Sequence, residues 1–258
     1  AETMSHRLSN NPKYALATQA DGTWSGVVSC HENVLDQPLR WKNPRTIFVA
    51  SMSDLFHSQV PWDFIGKVFD VMMSCPQHTF QVLTKRPGRM AFWADNMAEV
   101  CRERGLPWSW PPNVWAGTSC ESQKYAPRLD CLARVPAKVR FVSVEPMLER
   151  VDLTYWLRCS IPGCGYFKNE HWEDAFIPTV SPPDHVFRGI SWCIVGGESG
   201  PHARPMDLAW ATDIVGQCQA AGVACFVKQL GSAPMLGLGC QDLYEELIDL
   251  AQTPGGVR

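Results

Sequence analysis

The sequence predicts an α/β fold, a TIM-like β/α barrel. Three observations carry that prediction: seven short segments rich in β-formers, helical apolar spacing between several of them, and polar residues recurring behind them at barrel-like intervals. About seven parallel strands are visible in the 258 residues, one short of a full barrel, which leaves room for a missing first strand, and an insertion stands before the penultimate one. A doubly wound open sheet is the alternative. At this length, a single domain spanning 1–258 is expected.

The seven segments are 27–30, 46–50, 79–83, 114–117, 139–144, 190–195 and 223–227. Each is β-branched or aromatic without clean polar alternation, as parallel strands covered on both faces require. A helix is expected after Pro61, where Phe64, Ile65, Val68, Phe69, Met72 and Met73 recur at helical spacing. A second is expected after Asp207, with Leu208, Ile214, Val215 and Cys218 on its apolar stripe and Asp207 as its cap. Gly105 and Gly222 fall where helices end in a left-handed residue.

The first polar residues after the strands are Asp54, Lys85, Glu121, Glu145, Glu198 and Gln229, separated by 31, 36, 24, 53 and 31 residues. One βα unit takes roughly 30 residues, so the 53-residue gap holds the insertion, at about 158–188. Its prolines, Pro162, Pro178, Pro182 and Pro183, and its few long apolar runs read as a lid or surface excursion.

Barrels collect their functional groups behind the C-terminal strand ends. Asp54, Lys85, Glu121, Glu145, Glu198 and Lys228 are therefore the candidate catalytic residues, and Ser53, Gly196, Gly197 and Gln229 the candidate cofactor-binding ones. Carboxylates can act as acid and base or hold a divalent metal, and Lys85-Arg86 can hold an anion. A closed ring of ion pairs that merely stabilises the barrel end would use the same residues.

Within the insertion, Cys159 and Cys164 followed by His171 and His185 offer four ligands for zinc. The four residues between the cysteines and the irregular histidines depart from a usual knuckle. The other cysteines of the eleven, Cys193 and Cys225 among them, read as small buried thiols in a reducing compartment.

A net charge of −3 supplies no global attraction for nucleic acid, so the expected partner is a small molecule or nucleotide at the mouth. No apolar run approaches the roughly 18 residues of a membrane span, and residues 1–7 lack a signal-peptide core; a cytoplasmic location is expected.

The strand ends carry a resemblance. "FVASMSDLFH", "FQVLTKRP", "VWAGTSCES", "FVSVEPML", "IVGGESGPHARPM" and "CFVKQLG" resemble, in order, an uncharacterised phage-associated family of barrel proteins placed beside the radical S-adenosylmethionine enzymes. Members of that family have a three-cysteine segment ending in Cys-Tyr-Ala-Glu, whereas this chain opens with Ala1-Glu2-Thr3-Met4. The resemblance implies that the first strand and the cluster cysteines lie upstream or have been lost, and implies a [4Fe-4S] cluster and S-adenosylmethionine for the complete protein only. None of the eleven cysteines has the close three-cysteine spacing such a cluster needs.

The leading expectation is thus a radical S-adenosylmethionine-like enzyme of unknown substrate, acting by analogy on a nucleotide, a nucleic acid or a translation component. A cluster-free hydrolase or lyase using the mouth carboxylates, and a non-catalytic protein binding a phage or host partner, stay open beside it.

Overall fold

The computed structural model describes residues 14–19, 21, 23–157 and 189–235. Strands β1 (Thr46–Val49), β2 (Thr79–Thr84), β3 (Val114–Ser119), β4 (Arg140–Val144), β5 (Trp192–Gly196) and β7 (Ala224–Gln229) form one six-stranded sheet in that order. Every neighbouring pair is parallel. The sheet curls into a half-barrel, consistent with part of a β/α barrel. β6 (Met206–Asp207) and β8 (Pro234–Met235) form a separate parallel pair.

Among the described residues there are five α-helices: α1 (Trp62–Met73), α2 (Pro87–Glu103), α3 (Arg128–Ala133), α4 (Thr154–Leu157) and α5 (Leu208–Ala221). α1 starts behind Pro61 and buries Ile65, Val68, Phe69 and Met72, which share one face because 3.6 residues make a turn. α5 is capped as expected, the Asp207 carboxylate accepting from the Ala209 amide at 2.9 Å. Gly222 ends it at φ 67°, and Gly105 follows α2 at the same φ, a region where a Cβ would be strained.

Side chains alternate across each strand. Val82, Ala116, Val142, Val144, Val195 and Val227 point toward the helices and are at most 1 % exposed. On the other face Phe141 lies over Gly117, where a Cβ would sit 2.3 Å from the ring. Trp192 meets Trp115 edge-on at 5.8 Å on that same face. The helix side carries the main core: Phe69, Trp93 and Trp110 stack there at centroid distances of 4.1 to 6.2 Å, and the Trp110 indole donates to the Val114 carbonyl.

One expected strand is absent. Residues 27–30 form no ladder, and Val27 is half exposed. β-branched content favours a strand only where a neighbour can take its hydrogen bonds and side chains, and β1 pairs solely with β2 among the described residues. The proposed insertion at 158–188, with Cys159, Cys164, His171 and His185, lies outside the described residues.

Candidate functional site

The six candidate catalytic residues all follow or end strands of the half-barrel, so the topology brings their backbones to one rim. Asp54 and Lys85 pair with groups at neighbouring strand ends, Glu145 and Lys228 pair across an intervening strand, and Glu198 pairs within its own loop.

Behind β1, the chain turns at Ala50, held at φ 55°, and the Ser53 amide donates to the Ala50 carbonyl. The turn delivers Asp54 to the end of β2. Its carboxylate accepts from the Phe56 amide, the Thr84 hydroxyl at 2.7 Å, the Lys85 amide at 3.1 Å and the Arg86 guanidinium at 2.9 Å. Four donors saturate the two oxygens, so Asp54 works as a rivet between β1 and β2.

Glu121, two residues beyond β3, is 6 % exposed and shared by Lys85 and Arg128, the latter at 2.9 Å. Burial pushes its carboxyl up, but the Lys85 hydrogen bond, its own backbone and the two cations outweigh burial and hold it below the usual range. Next to it, burial and the Glu121 charge outweigh the Arg128 cation and push the Cys120 thiol up to about 12.

Glu145 follows β4 and its peptide to Pro146 is cis. Ser143 donates to Oε2 at 3.1 Å, and Lys228 of β7 approaches the two oxygens at 3.4 and 3.5 Å. This is the loosest of the rim pairs. β5 lies between β4 and β7, and Gly196 leaves the space for Glu145: a Cβ there would sit 2.5 Å from Oε1. Gly197 allows a second close approach, because its Cβ would meet the Leu230 carbonyl oxygen at 2.5 Å.

Glu198 turns back on its own loop. Arg204 grips it with Nε at 2.7 Å, Nη2 at 3.1 Å and its amide at 3.0 Å. These bonds hold the Glu198 carboxyl at about 2. Gln229 joins the β5 and β7 ends by donating to the Gly197 carbonyl and accepting from the Ser199 hydroxyl.

Sequence reasoning missed the pairing of Arg128 and Arg204 with carboxylates, and it missed a second cluster. Cys193 of β5, Cys218 of α5 and Cys225 of β7 bring their sulfurs within 4.8 Å of one another on the helix-facing side of the sheet. A signal was available: Cys193 and Cys225 share a strand phase with Val195 and Val227, and Cys218 lies on the apolar stripe of the crossover helix.

The family comparison decides where this chain is placed. A family model described as "Protein of unknown function (DUF5131)" matches residues 1–241. The chain belongs to the DUF5131 family. Searches of curated proteins and of solved structures each found no match. The DUF5131 description states no reaction and no cofactor. Among the described residues of this DUF5131 chain, no helix is long and apolar enough to cross a membrane.

Proposed function

We propose that the chain is the ligand-binding half-barrel of an enzyme, and that its rim holds a small molecule through a phosphate or carboxylate. One observation carries this reading: in the two lysine pairs of the rim the carboxylate is sunk and the ammonium stands in solvent. Lys85 is 57 % exposed over Glu121 at 6 %, and Lys228 is 55 % exposed over Glu145 at 16 %. An ammonium group has three donors, and the carboxylate beneath occupies only part of that capacity. The exposed positive ends, held in place from below, suit an incoming anion.

The resemblance of the strand ends to a family beside the radical S-adenosylmethionine enzymes supports an activity of that kind, since the cofactor's carboxylate and a nucleotide's phosphate are both such anions. The donors at the rim are carboxylates and amines, and the one three-cysteine group among the described residues lies on the opposite face of the sheet. These residues do not fit a [4Fe-4S] cluster, and the reading is confined to the rim. A cluster-free hydrolase is less favoured. Its general acid needs a carboxyl that stays protonated, whereas Glu121 and Glu198 are both held low.

Calorimetric titration with S-adenosylmethionine, adenosine 5'-monophosphate and uncharged adenosine tests the proposal. Either ligand that carries an anionic group, the carboxylate of S-adenosylmethionine or the phosphate of the monophosphate, should bind more tightly than adenosine, and Lys228→Ala should weaken that ligand by roughly tenfold or more, the loss of one charge-assisted hydrogen bond. Equal affinity for adenosine and both of these compounds would overturn it.

A further inference from the structure

Three thiols buried together on the far side of the sheet from the rim have no part in the reading above. Cys193 and Cys225 are direct partners in the parallel register of β5 and β7. α5 links those two strands and carries Cys218 back over them in its last turn. Cys193 and Cys218 are fully buried, while Cys225 is partly open because β7 is the last strand of the sheet.

We propose that Cys193, Cys218 and Cys225 form a binding site for a soft monovalent d10 metal ion, Cu+. The three sulfurs within 4.8 Å of one another are an all-thiol set, the donor type that selects soft ions. No histidine nitrogen or carboxylate oxygen joins them among the described residues. Structural zinc takes four ligands in a tetrahedron, whereas Cu+ is satisfied by two or three sulfurs.

Uptake releases one proton from each thiol that becomes a ligand, with no change of oxidation state, and the partly exposed Cys225, on the last strand of the sheet among the described residues, is the route in.

The test is anaerobic titration of the whole chain with Cu+ against a competing copper(I) chelator, run in parallel with Zn2+. The expected result is one tightly held Cu+ per chain, at least about tenfold tighter than in the variant with Cys193→Ala, Cys218→Ala and Cys225→Ala together. Circular dichroism checks that the variant folds. If it does not, alkylation mapping of the natural chain replaces it, and Cu+ should protect Cys225, the partly exposed member of the three, from labelling. Equal copper retention by a folded variant, no protection of Cys225, or preference for Zn2+ would each overturn the proposal.

Discussion

Glu145 and Lys228 meet over a strand to which neither belongs. Glu145 follows β4, Lys228 lies in β7, and the 3.4 Å contact passes across Gly196 of the intervening β5. The pair exists because the middle position has no side chain.

That relationship separates two adjacent glycines. Gly196→Ala would push against the mobile end of Glu145, which can swing away at little cost to the fold, so stability should fall by less than about 1 kcal/mol while Lys228 loses its partner. Gly197→Ala would push against the Leu230 backbone, which cannot yield locally, and should cost about 1–3 kcal/mol. Urea unfolding of the two variants reads the difference; similar costs would contradict the packing at Gly196.

Glu121→Gln leaves Lys85 and Arg128 without their shared charge at a position only 6 % exposed. A loss of about 1–3 kcal/mol is expected, the value of hydrogen bonds to charged groups. Thermal unfolding at neutral pH measures it, and an unchanged midpoint would mean that the two cations find other partners.

Acid should weaken the rim. Glu198 is held at about 2 by Arg204 in the folded chain and Glu121 is also held low, so both bind a proton more readily once unfolded. Their stabilising effect is complete above the usual carboxylate pKa of about 4.3 and is lost as pH falls from there toward 2. Glu198→Gln should flatten the fall in stability over that window, as followed by unfolding midpoints between neutral and acid pH.

Asp207→Ala removes the cap of α5 and should destabilise the chain by about 1 kcal/mol, with Asp207→Asn retaining most of it. Chemical unfolding of both variants distinguishes the lost cap from a lost charge.

Much of the frame was legible because it rests on local signals. β1 to β5 and β7 fall on expected apolar runs, α1 and α5 on their 3.6-residue stripes, and Gly105 and Gly222 on left-handed helix ends. Residues 27–30 misled because strand composition says nothing about whether a partner strand is present. The two-residue β6 and β8 were invisible because so short a ladder leaves no period to read. At the rim, the residue types were legible but their division of labour was not. Asp54 is saturated and riveting, Glu198 closes its own loop, and Lys85 and Lys228 remain open to solvent.

The sequence by itself determined which segments become parallel strands and that a polar residue stands behind most of them, since alternation, helical spacing and capping act within a few residues. Tertiary structure alone decided which cation rests on which carboxylate and that Cys193, Cys218 and Cys225 meet. Those contacts depend on strand register, on the return path of α5 and on the missing side chain at Gly196, and they join residues far apart along the chain.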